Sequence, residues 1–127
     1  MTRRRVKVFF DGGCRPNPGQ IEAAVVVRGV VQLFGDLGRG TSIDAEWLAL
    51  ICAMELSQSL GLSKIELIGD ALDVVQQANR ALDTGRALPG HATAFLAVAA
   101  NAPPARLRWI KREQNLAGIA LAALHPR

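Results

Sequence analysis

The chain has 127 residues, and half of them are apolar, which predicts one domain with a single core over residues 1–127. It has no apolar run of about 18 residues and no signal-peptide pattern, so we expect neither a membrane span nor a leader. Cys14 and Cys52 stand in unrelated settings, which argues against a disulfide framework or a zinc site and favours a cytoplasmic protein.

The net charge is +4 over residues 1–20, −4 over 21–100 and +4 over 101–127. This distribution suits a polyanion that meets a cation-binding carboxylate cluster, although ordinary solvated charge also explains it.

Alternating apolar residues predict an antiparallel meander in the first third of the chain. Its strands cover residues 6–11, 21–29 and 30–38, with Gly29 in the short turn between the last two. Over residues 41–60 the spacing of the apolar residues changes to that of a helix. Thr41 and Asp44 have the spacing of a capping box at the start of this helix.

The rest of the chain alternates between strands and helices. We predict strands over 64–70 and 106–112, helices over 71–79, 91–101 and 115–125, and a loop or short helical turn over 80–90. The order βββαβααβα indicates an α/β fold with a mixed sheet.

Three carboxylates are placed where they can meet. Asp11 ends the first predicted strand and Asp70 ends the fourth, and a helical crossover makes these strands parallel neighbours. Glu46 lies in the first turn of that crossover helix, near the same edge of the sheet. Such a cluster needs a proton or a cation, and oxygen ligands suit Mg²⁺ or Mn²⁺. Singly, an Asx turn, a helix cap and the helix dipole would also explain the three residues.

The segments "DGGCRPNPG", "TSIDAEWLAL" and "GDALDVVQQ", in this order and spacing, resemble ribonuclease H type 1. The resemblance implies the ribonuclease H-like fold, with a five-stranded mixed sheet formed by a meander and two parallel strands and flanked by helices. It also implies a metal-dependent endoribonuclease that hydrolyses the RNA strand of RNA/DNA hybrids with Mg²⁺ or Mn²⁺.

The same resemblance assigns roles to individual residues. Asp11, Glu46 and Asp70 would be the catalytic, metal-binding carboxylates. The loop after Asp11 would lie along the RNA strand and contact ribose hydroxyls, which distinguish RNA from DNA. The loop residues expected to bind nucleic acid are Gly12, Gly13, Cys14, Arg15 and Asn17.

One departure from the family concerns a fourth carboxylate, which begins the last helix in other members. Gly118 or Ile119 takes that place here, depending on the register. Three residues nearby are candidate auxiliary groups. They are Glu113 as a substitute carboxylate, Asn115 as a neutral oxygen ligand, and His125 as a surface residue or a group that assists proton transfer or product release.

The missing carboxylate keeps two other functions open. One is a hybrid- or RNA-binding module with weak or no catalysis, and the other is a related nuclease of the same fold that acts on another nucleic acid. In each case we expect a nucleic-acid partner, no membrane and a monomeric protein.

Overall fold

A single mixed sheet forms the centre of the computed structural model, which describes residues 5–125. A single turn of 3₁₀ helix, Arg112–Gln114, precedes the last α-helix. The strands are β1 Val6–Cys14, β2 Gly19–Val27, β3 Val30–Phe34, β4 Arg39–Gly40, β5 Ile65–Gly69 and β6 Arg106–Trp109; the helices are α1 Ser42–Ser59, α2 Leu72–Thr84, α3 His91–Ala99 and α4 Leu116–Ala122.

The strand order β3-β2-β1-β5-β6 confirms the predicted five-stranded mixed sheet. The meander β1-β2-β3 is antiparallel, whereas β5 pairs in parallel with both β1 and β6. The two-residue strand β4 is an addition to the prediction and pairs with the start of β2. Because β1 and β5 are parallel neighbours, the residues that follow their buried parts meet at one edge of the sheet.

Helices cover both faces of the sheet, but unequally. The larger core cluster lies on the face covered by α1, α2 and α3, with Phe10, Leu50 and Phe95 at its centre. The smaller cluster joins Ala24 and Val26 of β2 to Ala117 and Leu121 of α4. The short helix α4 therefore covers only part of its face. Within residues 5–125, no helix is both long enough and apolar enough to cross a membrane.

Several predicted boundaries were wrong. β1 continues three residues past Asp11 to Cys14 because it pairs with β2 over that length, so Asp11 lies within the strand and not at its end. The predicted strand over 30–38 ends at Phe34, and the strand over 106–112 ends at Trp109. Helix α2 ends at Thr84 and not at residue 79, so it includes the start of the segment predicted as a loop or short helical turn, because Ala81 is buried and Gly85 supplies the left-handed cap.

Helix α1 begins as predicted, with Thr41 and Asp44 in a reciprocal capping box. Trp47, Leu50 and Met54 are buried, whereas Leu60 is exposed. The helix packs against β1, β2 and α3 at once, and this breadth of contact buries residues outside a single narrow stripe.

Candidate active site and metal centre

Three carboxylates from three elements meet at one edge of the sheet. Asp11 comes from β1, Glu46 from the second turn of α1, and Asp70 from the residue after β5. One carboxylate oxygen of each lies within 4.8 Å of those of the other two. Asp11 is buried, and Glu46 and Asp70 are partly buried. The chain therefore concentrates negative charge in a poorly solvated place.

Glu46 reaches the cluster because β1 and α1 are in backbone contact. A β-carbon on Gly12 would collide with the carbonyl group of Ala45, so only glycine permits this approach. The Gly12 N–H donates a hydrogen bond of 2.6 Å to Glu46 Oε1. The strand thereby orients the helix carboxylate.

Asp70 is oriented by the C-terminal part of the chain. Its Oδ2 accepts a hydrogen bond of 2.9 Å from Asn115 Nδ2, and its carbonyl oxygen accepts one of 3.0 Å from Trp109 Nε1. The cap of α2 is Ala71, which makes no side-chain cap bond, so a capping role for Asp70 is wrong. An Asx-turn role for Asp11 is also wrong, since Asp11 is paired with Ala24 inside the sheet.

Burial and like charge raise the pKa of two of these acids. Burial, and then the negative charge of Asp70, raise the pKa of Asp11 to about 6, although Glu46, Arg112 and the Gly12 N–H partly offset this. Burial, and then the charge of Asp11, raise the pKa of Glu46 to about 9. Without a cation, the cluster therefore holds a proton at neutral pH.

The donor set fits a hard divalent cation. All three ligand atoms are carboxylate oxygens, the chemistry that Mg²⁺ and Mn²⁺ prefer. A cation there would replace the shared proton and supply the positive charge that the buried carboxylates lack.

The carboxylates lie in an open groove of about 800 Å³. The predicted loop residues Gly12, Gly13, Cys14, Arg15 and Asn17 all line this groove. Asn17 also fixes the loop to α1, because its Oδ1 accepts from the Ser42 N–H at 3.1 Å and its Nδ2 donates to Ser42 Oγ at 3.2 Å. Other lining residues include Glu22, Ile43, Asp73, Gln77, Arg112, Gly118 and His125.

The three candidate auxiliary residues have different positions. Asn115 is fully buried, donates from Nδ2 to Phe10 O and Asp70 Oδ2, and uses Oδ1 to cap α4 at the Ala117 N–H. It faces the cluster with its nitrogen, so the expected oxygen ligand was wrong.

Glu113 is exposed and does not line the groove, so its predicted place as a substitute carboxylate was wrong. His125 does line the groove, and its Nε2 lies 2.7 Å from Oε2 of Glu22. Its side chain is 31% exposed, so His125 is a partly exposed residue of the groove, and both of its expected roles stay predictions.

Gly118 lies against the carboxylate cluster. A β-carbon on Gly118 would lie 3.5 Å from Asp11 Oδ2 and 3.6 Å from Asp70 Oδ2. Ile119 is 55% exposed and does not line the groove. Of the two residues that the sequence left open, Gly118 is thus the one beside the cluster, and its lack of a side chain leaves a gap in the cluster on this side.

Arg112 and Glu22 are charged groove residues that sequence reasoning missed. Arg112 adjoins the cluster and is the cation that acts on Asp11. Glu22 faces the groove because β2 pairs it with Gly13. The sequence feature that could have indicated Arg112 is its position three residues before Asn115. The position of Glu22 in the groove follows only from the register between β1 and β2.

Known proteins share this arrangement of elements. A family model described as reverse transcriptase-like matches residues 9–125. Ribonuclease HI of Halobacterium salinarum is 41% identical over 85 residues, which are 63% of this chain and 43% of that protein. This chain thus spans less than half the length of that curated relative.

Solved structures cover the chain more fully. The structure of ribonuclease H1 from Halobacterium salinarum is 31% identical, covers 93% of this chain and 94% of its own, and has a TM-score of 0.71. LC11 ribonuclease H1 in complex with an RNA/DNA hybrid is 23% identical, covers 88% and 89%, and has a TM-score of 0.70. The fold is therefore that of ribonuclease H. The chain belongs to the ribonuclease HI type of the reverse transcriptase-like family.

The raised pKa values predict how stability depends on pH in EDTA. Between about pH 4.5 and pH 9 the folded chain holds a proton on Glu46 that the unfolded chain has released. The free energy of unfolding therefore falls as pH rises through this window, by at most about 1.4 kcal/mol per pH unit for one proton. Thermal unfolding at pH 5 to 9 measures this slope.

Glu46→Gln is the variant that imitates protonated Glu46. Its amide oxygen can accept the hydrogen bond from the Gly12 N–H, and its amide nitrogen can donate one, as the protonated acid does. We expect its slope to be flatter than that of the wild type and its advantage in melting temperature to grow with pH. Parallel pH profiles for the two proteins would contradict the proton assignment.

Gly118→Asp should fill the gap with a fourth carboxylate. We expect about tenfold tighter Mn²⁺ binding in calorimetry, because ligand charge sets the affinity of such sites, and a lower melting temperature in EDTA. Ile119→Asp is the control and should leave Mn²⁺ affinity unchanged, since Ile119 is exposed outside the groove. Tighter binding by the Ile119 variant alone would put Ile119, and not Gly118, in the place of the fourth carboxylate.

Proposed function

We propose that the protein is a divalent-metal-dependent endoribonuclease that hydrolyses the RNA strand of RNA/DNA hybrids. The observation that carries the proposal is the convergence of Asp11, Glu46 and Asp70 in an open groove, in a chain of the ribonuclease HI type. We propose these three residues as the catalytic ligands of Mg²⁺ or Mn²⁺. When bound, such an ion activates a water and stabilises the leaving oxygen of a phosphodiester.

The remaining groove residues support binding of the RNA strand. Gly12 and Gly13 line the groove, where Gly13 leaves its backbone without a covering side chain, and Asn17 holds the loop against the start of α1. Arg15 and Arg112 supply positive charge for phosphates beside an otherwise acidic cluster. The complex of LC11 ribonuclease H1 with an RNA/DNA hybrid supports the choice of substrate. We include Cys14 among the proposed contact residues because it lines the same wall.

The gap at Gly118 favours a second candidate function. With three carboxylates in place of four, the cluster has less charge with which to hold cations, and a hybrid- or RNA-binding module with weak catalysis becomes the alternative. A related nuclease that acts on another nucleic acid is the third possibility. The monomeric state, the cytoplasmic location and a single domain over residues 1–127 stay predictions; residues 1–4 and 126–127 lie outside the described part.

A cleavage assay separates these functions. The substrate is a hybrid with a labelled RNA strand, incubated with Mg²⁺, Mn²⁺ or EDTA. We expect cleavage only with a divalent cation. Asp70→Asn should reduce the rate about a hundredfold or more, because several kcal/mol of charge stabilisation are lost with a ligand. Asp83→Asn, which removes an exposed charge near the end of α2, is the matched control and should cleave normally.

Each other outcome points to a different function. Hybrid binding without cation-dependent cleavage would contradict the enzyme and support the binding module. Cleavage of duplex RNA or duplex DNA at the same rate would contradict hybrid specificity and support a broader nuclease.

A further inference from the structure

A second groove, of about 380 Å³, lies at the opposite end of β1 from the carboxylates. It shares no lining residue with the first groove. Lys7 is four residues before Asp11, which is about 13 Å along an extended strand. The groove is lined by Arg5, Val6, Lys7, Phe9, Val26, Arg28, Gly29 and Leu116. No acidic residue is among them, so its charge is opposite to that of the carboxylate cluster.

The cations of this groove lack acidic partners. Arg5, Lys7 and Arg28 are exposed, and none of them forms an ion pair within residues 5–125. The carboxylate aligned with Lys7 across the sheet is Glu66, which is already engaged. Arg108 Nε lies 2.8 Å from Glu66 Oε1, and Arg106 lies 3.7 Å from the same atom. The positive charge of the groove is therefore available to an external anion.

Arg28 stands at a position that the backbone does not favour for arginine. The turn between β2 and β3 consists of Arg28 and Gly29, with φ values of 51° and 79°. Asparagine or glycine is preferred in such a turn, because a larger side chain is strained in the left-handed region. Arg28 therefore lowers the stability of this turn relative to asparagine or glycine. This backbone observation is independent of the excess of cations over acidic residues in the groove.

The floor of the groove is apolar. Phe9 and Val26 pair across β1 and β2, and Leu116 at the start of α4 is 46% exposed beside them. Cations beside an apolar floor that includes Phe9 match single-stranded nucleic acid, whose phosphates bind cations and whose bases pack on apolar side chains. In the sequence, Arg3 and Arg4 directly precede Arg5 and add charge of the same sign, although they lie outside the described residues.

We propose that this groove binds single-stranded nucleic acid through its phosphate backbone, as a second site separate from the carboxylate groove. A substrate with single-stranded flanks would then contact both sites, whereas a short blunt duplex would contact only the first. The proposal concerns binding alone, so it holds or fails independently of cleavage.

The test is fluorescence anisotropy with a short labelled single strand and the full chain in EDTA, over a series of salt concentrations. We expect the double variant Lys7→Gln, Arg28→Asn to raise the Kd about tenfold and to reduce the slope of log K against log salt by one to two. Arg80→Gln with Arg86→Gln, which removes the same charge from exposed positions of α2 and the loop after it, should bind as the wild type does. Because asparagine suits the turn, the groove variant should unfold at the same temperature or higher.

Three binding results would overturn the proposal, and one result on cleavage would overturn its separation from the carboxylate groove. The first is equal loss of affinity in both double variants, which would mean general charge attraction; the second is no loss in either. The third is loss of binding to anionic vesicles, to an acidic peptide or to a second copy of the chain, without loss of binding to the single strand. The rate of cleavage of a short blunt hybrid should stay unchanged in the groove variant. A rate that falls as far as the single-strand affinity would also overturn the separation of the two sites.

Discussion

Backbone contact between β1 and α1 is the constraint on which the site depends. At Gly12 the strand lies against the Ala45 carbonyl group with no space for a β-carbon, and the Gly12 N–H binds Glu46. This contact brings a helix carboxylate to within 4.8 Å of the two carboxylates contributed by parallel strands. A larger residue at position 12 would separate the layers and move Glu46 away from Asp11.

Without a cation, burial and the repulsion between like charges destabilise the carboxylate cluster. Hydrogen bonds from the surrounding chain hold its members in place. Asn115 links Phe10 O, Asp70 and the first turn of α4, so one buried amide joins three parts of the chain. Trp109 fixes the backbone of Asp70 from β6. These bonds keep like charges close in a buried place, and burial together with the like charge raises the pKa values of Asp11 and Glu46. Close, poorly solvated carboxylates give a cation site its affinity.

The sequence was sufficient for the parts of the site that follow from topology. Asp11 and Asp70 could be placed together because parallel neighbouring strands end at one edge, and Glu46 because its helix connects those strands. The roles of Asn115 and Arg112 could not be found this way. The hydrogen bond from Asn115 Nδ2 to Phe10 O joins two residues that are 105 positions apart in the sequence. Asn115 directs its nitrogen to the cluster because its oxygen caps α4. A sequence pattern contains no information on that orientation.

The gap at Gly118 bears on catalysis only if the three carboxylates bind a cation. Anomalous diffraction from crystals grown with Mn²⁺ tests this most directly. We expect an anomalous peak bounded by the carboxylates of Asp11, Glu46 and Asp70, and its loss in crystals of Asp70→Asn. Mn²⁺ found only at other positions, with these carboxylates left without a cation, would contradict it.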